Sequence, residues 1–232
     1  GSDRFPMLII DKKPSRKQLF DASIAGILGF SIFGKDHTYL LNEDNTINYE
    51  KIRVFINKYE GQKKFIFGLT SKIYEYLVKA FDQKKLNLNI KFDFIVHGGG
   101  WKKLENKKIS NDKFKKLLRS KFKINKIINY YGMVEQTGSI FFECELNNHF
   151  HVSNFSEIFI RDKNLSVIND GNSGIIQLIS ILPRSYPGHN ILTEDVGIIL
   201  GQDDCKCGKK GKYFKILGRV KNAESRGCGN ES

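Results

Sequence analysis

Apolar residues in the first part of the chain recur with two different spacings. A spacing of three or four residues predicts helices, and short runs of β-branched and aromatic residues predict strands. The helices are expected at residues 17–33, 47–59, 71–81 and 110–122. The strands are expected at residues 37–41, 63–69, 90–96 and 126–132. This alternation is typical of an α/β fold with a mostly parallel sheet and flanking helices.

The pattern changes after Gly138, where short strands separated by turn residues predict a β-rich subdomain. In the preceding α/β part, Ser71 is placed to cap the helix expected at residues 71–81. The new strands are expected at IFFECEL, FHVS, SEIFIRD, GIIQLIS, VGIILG and YFKILG. The predicted parts are an α/β subdomain (3–138), a β-rich subdomain (139–217) and a hinge-like segment with a tail (218–232).

Composition and charge narrow the class of protein. The 40% of hydrophobic residues and only four prolines predict a folded globule. The formal net charge of +13 is compatible with a polyanionic partner, but the lysines are scattered, so we interpret them as solvated and expect no nucleic-acid partner. No apolar run is long enough to span a bilayer and no leader is recognisable, which predicts a cytoplasmic protein. Four unevenly spaced cysteines indicate reduced thiols rather than a disulfide scaffold.

Three consecutive glycines, Gly98, Gly99 and Gly100, follow a predicted strand and the residue His97. Bare backbone there would let a flat ligand approach, with amide groups free to donate. Sites in α/β sheets lie beyond the carboxyl ends of the strands, which favours a functional interpretation. The alternative is an ordinary tight turn. His97 itself can orient a carboxylate or simply end the strand.

A second glycine-bearing turn, NYYGMVEQTG, carries an aromatic pair and a carboxylate. Tyr130 and Tyr131 precede Gly132, and a purine stacks well on a tyrosine. Glu135 can hold a hard cation such as Mg²⁺. The alternative is that the tyrosines pack in the core and that Glu135 is merely solvated.

Two further residues complete the outline of a nucleotide site. Asp195 is expected on a turn before Gly197, where a carboxylate can accept from both ribose hydroxyls. Arg219 follows Gly218 and offers a forked cation to sugar or phosphate oxygens. Each residue alone is more often a solvated surface group, and only the ordered set predicts nucleotide binding.

Four motifs follow one another along the chain: HGGG, YYGMVEQTG, LTEDVG and ILGRVKNAESRGC. In this order they resemble the motifs of the adenylate-forming superfamily, and within it those of the acyl-protein synthetase (LuxE-type) family. The resemblance implies that ATP and a carboxylic acid, expected to be a fatty acid, give acyl-AMP, from which a thiol takes the acyl group. It implies that Tyr131 lies against adenine, that Glu135 binds Mg²⁺ and that Asp195 holds the ribose hydroxyls. The glycines at 98–100 would form the wall beside the adenine, with Arg219 near a hinge.

The resemblance also implies that Cys228 carries the acyl group before an acyl-reductase partner receives it, with an acyl-transferase as a further partner. A thiolate suits this task because it is both a good nucleophile and a good leaving group. One alternative is delivery to coenzyme A or a carrier phosphopantetheine. The family's upstream phosphate loop is not found in this chain, which begins abruptly after Gly1-Ser2. We therefore expect a fragment with little ligase activity of its own.

The other cysteines have the spacing of metal ligands. Cys205 and Cys207 form a C-x-C turn, and Cys144 lies near His149 and His151. Three cysteines and one histidine are a normal structural zinc set, and plain buried cysteines are the alternative. Resemblance to the phenylacetate–coenzyme A ligase family favours His151 as the fourth ligand. A zinc-containing nucleic-acid-binding module is the rival from another class, and it predicts binding that weakens steeply with salt.

Overall fold

The structure is a computed structural model that describes residues 4–15, 22–82, 92–184 and 187–220. The chain forms two compact units, and the boundary between them falls between Asn129 and Tyr130. One sheet is mostly parallel and the other antiparallel, so the predicted α/β fold with a β-rich part is confirmed.

The first unit is built on a parallel sheet. Its strands are β1 (Phe5–Ile9), β2 (Gly34–Tyr39), β3 (Phe65–Leu69), β4 (Phe94–Gly98) and the first four residues of β5 (Lys126–Gly132), whose last three belong to the second unit. They follow the order β2-β1-β3-β4-β5, and β1 pairs in parallel with both β2 and β3. Successive side chains of β3 point to opposite faces of the sheet. Ile66 lies in the main core, whereas Phe67 stacks on Phe30 at 4.7 Å.

Helical segments flank this sheet, and side-chain caps start two of them. The segments are α1 (Ala22–Ser31), α2 (Tyr49–Lys58), α3 (Thr70–Lys72), a π-helix (Ile73–Val78), α4 (Lys79–Asp82), a 3₁₀ helix (Lys102–Lys107) and α5 (Asn111–Phe122). Asn48 accepts a hydrogen bond from the Lys51 amide at the start of α2. Ser110 does the same for Lys113 at the start of α5. These caps satisfy amide groups that have no partner within the helix.

The helix predicted from Ser71 starts differently, and the predicted cap at Ser71 is wrong. Leu69 is the N-cap and makes no side-chain hydrogen bond, while Ser71 is buried inside α3. The π-helix that follows buries Ile73, Leu77 and Val78. Residues 16–21 and 83–91, which include parts of a predicted helix and a predicted strand, lie outside the described residues.

The second unit is dominated by an antiparallel sheet. Its strands include β6 (Ile140–Phe142), β7 (Phe150–His151), β8 (Ser156–Arg161), β9 (Ser173–Ser180), β10 (Asn190–Gln202) and β11 (Lys212–Arg219). The sheet has the order β7-β11-β10-β9-β8, and β6 pairs instead with Tyr130–Gly132. Its inward face is apolar, with Ile158, Ile176 and Phe214 fully buried.

Two predictions about strands need correction. The expected turn at Asp195 is wrong, because Asp195 lies within the 13 residues of β10. Near Asp195 the strand is nevertheless irregular, because the pairing of β10 with β9 shifts between Leu192 and Val196. The strand β1 was not predicted, although its residues from Pro6 to Ile9 are buried.

β2 is the outermost described strand of the parallel sheet, and it is irregular. Its pairing with β1 shifts, because Pro6 lies opposite Lys35 but Leu8 lies opposite Thr38. Asp36, within this interval, has a φ of 49°. This is a β-bulge, which bends the strand and increases its twist.

Within the described residues, no helix combines the length and the apolar character that crossing a membrane requires. The longest of them, α5, has 12 residues.

Candidate functional site

The glycine turn begins where β4 ends. Gly98 is buried opposite Leu69 of β3, whereas Gly99 and Gly100 are exposed. Gly99 has a φ of 71°, a conformation that favours glycine. A Cβ at Gly100 would meet nothing within 4 Å, so the chain leaves open space beside this backbone. The turn therefore exposes two glycines, and a role for its amide groups in binding a ligand stays a prediction.

A side-chain hydrogen bond fastens this turn to the start of α3, directly after β3. The Thr70 hydroxyl donates to the Gly98 carbonyl at 3.0 Å and lies 2.9 Å from His97 Nδ1. Because a hydroxyl has a single proton, His97 Nδ1 must be the donor to Thr70. The proton is then on Nδ1, and Nε2 is an acceptor. Sequence analysis did not single out Thr70.

His97 lies inside the first unit and not on its surface. It is 1% exposed, and its ring packs edge-on against Phe114 at 5.2 Å. Among the described residues, no partner lies within hydrogen-bonding reach of its Nε2. Burial lowers the pKa of His97 from an ordinary 6.5 to about 3, with a smaller contribution from Lys115. This position favours the interpretation that His97 supports the strand end.

Replacing His97 with glutamine is expected to flatten the dependence of stability on pH. Unfolding exposes the neutral imidazole to water, where it takes up a proton below its ordinary pKa of 6.5. The free energy of unfolding should therefore fall as pH drops from 6.5 towards 3, by about 1.4 kcal/mol per pH unit for one proton. Urea unfolding from about pH 7 to pH 4 measures this slope.

The glutamine variant should lose this one-proton contribution even if the substitution also lowers stability at every pH. His37→Gln is the control, because His37 is exposed and only its Nε2 contacts a backbone carbonyl, that of Ser31. Equal slopes for His97→Gln and the parent protein would contradict the buried, neutral state of His97.

The carboxyl end of β1 carries a partly buried ion pair that the sequence analysis also missed. Both carboxylate oxygens of Asp11 lie 2.7 Å from Lys72 Nζ, and Ser23 donates to Oδ2 at 2.5 Å. Asp11 is 5% exposed, so this carboxylate depends on its partners for solvation. The pair ties the end of β1 to the helical segment that follows β3.

In the second unit, three predicted site residues come together. Tyr131 donates to Asp195 Oδ2 at 2.6 Å, and Arg219 Nε lies 3.9 Å from Asp195 Oδ1. Asp195 and Arg219 are directly paired residues of β10 and β11, and Arg219 also forms an ion pair with Glu194. Burial, with the charge of Asp195, raises the pKa of Tyr131 well above its ordinary value. Asp195 is therefore an oriented carboxylate beside a cation.

The Tyr131 ring belongs partly to the apolar core. Its centroid lies 6.0 Å from that of Phe141 and 6.1 Å from those of Phe150 and Phe214. The residue is half-buried, as is its neighbour Tyr130. Any stacking on adenine must use the part of the ring that these phenylalanines leave uncovered.

Glu135 lies on a short 3₁₀ helix (Val134–Gln136) and is exposed. Gln136, which the sequence analysis missed, fixes this turn from within. Its amide donates to the Gly188 carbonyl at 3.0 Å and to the Leu178 carbonyl at 3.3 Å. The turn thus exposes Glu135 while the neighbouring Gln136 bonds it to two backbone carbonyls.

The four predicted metal ligands form one cluster, the cysteine–histidine cluster, which consists of Cys144, His151, Cys205 and Cys207. Their ligand atoms all lie within 4.8 Å of one another. Cys144 Sγ is 3.8 Å from Cys205 Sγ, and Cys207 Sγ is 3.2 Å from His151 Nε2. Tetrahedral zinc with Zn–S bonds of about 2.3 Å separates two sulfurs by about 3.8 Å. The donor set and its spacing therefore fit zinc.

Cys228, the predicted acyl carrier, lies outside the described residues.

A protein-family model described as "Acyl-protein synthetase, LuxE" matches residues 1–231. The long-chain-fatty-acid–luciferin-component ligase of Aliivibrio fischeri is 27% identical over 195 residues, 80% of this chain and 50% of that protein. The ligase of the same name from Vibrio harveyi is 26% identical over 195 residues, 82% of this chain and 50% of that protein. The chain thus spans half the length of these curated relatives.

A solved structure shows the same fold. An open conformation of 2-hydroxyisobutyryl-CoA ligase, in complex with 2-HIB-AMP and CoA, matches with a TM-score of 0.67 and 14% identity. The match covers 94% of this chain and 49% of that one. The predicted fold, that of adenylate-forming enzymes, is confirmed.

Proposed function

Since the chain belongs to the acyl-protein synthetase (LuxE) family, whose model matches residues 1–231, we propose that it is part of a ligase that activates a carboxylic acid with ATP. The acid is a long-chain fatty acid, as the names of the curated relatives suggest. The observation that carries the proposal is the contact of Tyr131 with Asp195 of β10, which is paired with Arg219 at the end of β11.

The proposed reaction has two steps. A carboxylate oxygen of the acid attacks the α-phosphorus of ATP, the bond from that phosphorus to the bridging oxygen breaks, and pyrophosphate leaves. A thiolate then attacks the acyl carbon and AMP leaves with the electron pair of the broken bond, giving a thioester. Both steps place negative charge on phosphate oxygens. Fixed cations and hydrogen-bond donors stabilise this charge.

The residues of the second unit have distinct parts in this reaction. Asp195 accepts hydrogen bonds from the ribose hydroxyls, using the lone pairs that Tyr131 and Arg219 leave available. Tyr131 holds the carboxylate in one orientation, and Arg219 offsets its charge. Glu135 holds Mg²⁺, which would neutralise charge on the phosphates. A role for Gly98, Gly99 and Gly100 beside the adenine stays a prediction.

Cys228 is the proposed acceptor of the acyl group, and acyl-reductase and acyl-transferase proteins are its proposed partners. Coenzyme A or a carrier phosphopantetheine is the alternative acceptor. The family membership supports the first choice, because the family is described as an acyl-protein synthetase. A cytoplasmic location stays a prediction.

Replacing Cys228 with serine is expected to abolish a covalent acyl adduct while acid-dependent formation of AMP continues. The reason is that a serine hydroxyl at neutral pH is a far weaker nucleophile than a thiolate. The protein is incubated with ATP, Mg²⁺ and a mixed pool of fatty acids, and its intact mass is recorded before and after hydroxylamine. The assay uses the chain alone and a protein of the curated relatives' full length that contains this sequence.

The two acceptors give different results in this assay. A hydroxylamine-labile adduct that maps to Cys228 supports the acyl-protein synthetase, and its mass identifies the acid. Formation of AMP without an adduct on the parent protein would instead indicate coenzyme A or a carrier as acceptor. Robust ATP–pyrophosphate exchange by the chain alone would contradict our expectation that it has little activity.

We also propose that the cysteine–histidine cluster binds a structural Zn²⁺. Cys144 precedes β7 and His151 ends it, while Cys205 and Cys207 belong to the connection between β10 and β11. The ion would supply the link between these two segments. A closed set of four protein ligands leaves no position for a substrate, which is the arrangement of structural zinc sites.

A further inference from the structure

A second histidine lies against the cysteine–histidine cluster without belonging to it. His149 is 6% exposed, and its Nε2 lies 3.3 Å from Cys205 Sγ. The set of mutually close ligand atoms nevertheless includes His151 and not His149. The structure therefore gives the two histidines different positions, although they are only two residues apart.

The His149 residue is held by three further contacts besides the one between its Nε2 and the Cys205 sulfur. It packs on the Tyr213 ring, with centroids 4.5 Å apart and an interplanar angle of 35°. It meets the His151 ring nearly edge-on, at 5.2 Å and 73°. The backbone carbonyl of His149 also accepts from the Cys144 amide at 2.7 Å. These contacts fix the direction in which Nε2 points.

A zinc-bound cysteine is a thiolate, and its negative charge decides whether Nε2 of His149 carries a proton. An unprotonated Nε2 would set a lone pair against the negative sulfur, whereas Nε2–H donates to it. Since three thiolates bring one more negative charge than Zn²⁺ neutralises, a donor to one sulfur stabilises the site. Such supporting hydrogen bonds typically contribute about 10- to 100-fold to metal affinity.

We propose that His149 is a positioning residue of the zinc site, which donates a hydrogen bond from Nε2 to the Cys205 thiolate while His151 is the histidine ligand. The inference rests on the proposed zinc site. It assigns the two histidines separate tasks. His151 binds the ion, and His149 stabilises and orients the Cys205 thiolate through a hydrogen bond.

Three variants of the chain separate these tasks. His149→Phe keeps an aromatic ring on Tyr213 but removes the donor. His149→Gln places an amide N–H at nearly the same reach as Nε2. His151→Phe is the matched control, since it removes the proposed ligand with the same change of side chain.

The measurements are zinc affinity, by competition with a chromophoric chelator, and the absorption spectrum of the Co²⁺-substituted protein. His149→Phe should bind about one metal per chain with the parent's Co²⁺ spectrum, but about 10- to 100-fold more weakly. His149→Gln should recover part of that loss. His151→Phe should change the Co²⁺ spectrum, because the coordinating atoms themselves change.

Other results would overturn the proposal. A Co²⁺ spectrum altered in His149→Phe but not in His151→Phe would make His149 the ligand. Parent-like affinity of His149→Phe would show that the hydrogen bond contributes nothing, with the zinc site itself intact. Failure of the parent chain to bind zinc would remove the zinc site and this inference together, and the parent measurement distinguishes that case.

Discussion

Cys205→Ala is expected to lose the proposed zinc and, with it, about 4 kcal/mol of the free energy of unfolding. The Cys205 sulfur is one of the four ligand atoms, 3.8 Å from that of Cys144, and it also lies 3.3 Å from His149 Nε2. Without it three ligands remain, too few for a closed structural site. An ion that binds only the folded chain contributes about 4 kcal/mol when its free concentration is a thousand times its Kd.

Metal analysis and urea unfolding test this prediction together. Protein prepared without chelators should hold about one zinc per chain in the parent and well under one in Cys205→Ala. A chelator should destabilise the parent but leave the variant unchanged. Cys228→Ala, which changes a cysteine outside the cluster, should keep its zinc. Equal zinc content in Cys205→Ala and the parent would contradict the assignment, as would a parent that holds almost none.

Gly188→Ala is expected to lower the free energy of unfolding by about 3 kcal/mol, near the upper end of what forced overpacking costs. A Cβ at this position would lie 1.9 Å from the carbonyl oxygen of Glu135 and 3.5 Å from the Cα of Gln136. Both are backbone atoms, so neither can rotate away. The 3₁₀ turn must therefore move and strain the hydrogen bond from Gln136 to the Gly188 carbonyl.

Urea unfolding measures this loss, with Gly218→Ala as the matched control. Gly218 lies on β11 in the same unit, and a Cβ there would meet nothing within 4 Å. The control should stay within about 0.5 kcal/mol of the parent. If Gly188→Ala were as stable as Gly218→Ala, the close approach of the 187–189 segment to the Glu135 turn would be contradicted.

Helices and strands are predicted well from the sequence where the spacing of apolar residues agrees with the residues at the ends of the element. The helix expected at 110–122 is α5 (Asn111–Phe122), with Ser110 as its cap, and the strand expected at 126–132 is β5. Both have clear apolar spacing and recognisable ends. The two ligand pairs of the metal cluster could also be found, because each pair is local in sequence.

Other features depend on contacts that no local pattern reveals. The strand β1 is buried on both faces, so its residues do not alternate, and Pro6 argues against a strand. Near Asp195, polar residues followed by a glycine resemble a turn. In the structure, Thr193 is buried and donates to the Ile176 carbonyl, which keeps this polar stretch in β10.

The residues that could bind a ligand or a metal could be predicted from the sequence. The residues that hold them in place could not. Thr70 and Gln136 act by bonding to backbone groups 28 and 52 positions away, at Gly98 and Gly188. Such partners exist only once the chain has folded. The spacing of residues also could not separate His149 from His151, because both are adjacent to β7 or within it and both are buried.

The bulge in β2 also bears on self-association. An edge strand exposes unpaired N–H and C=O groups on which a second chain can add a strand, the first step of many aggregates. In this protein Asp36 bends the outermost described strand of the parallel sheet, and the charged residues Lys35 and Asp36 are exposed along it. A bent, charged edge pairs poorly with an incoming strand. The bulge and the exposed charges thus make this edge a poor template for edge-to-edge polymerisation.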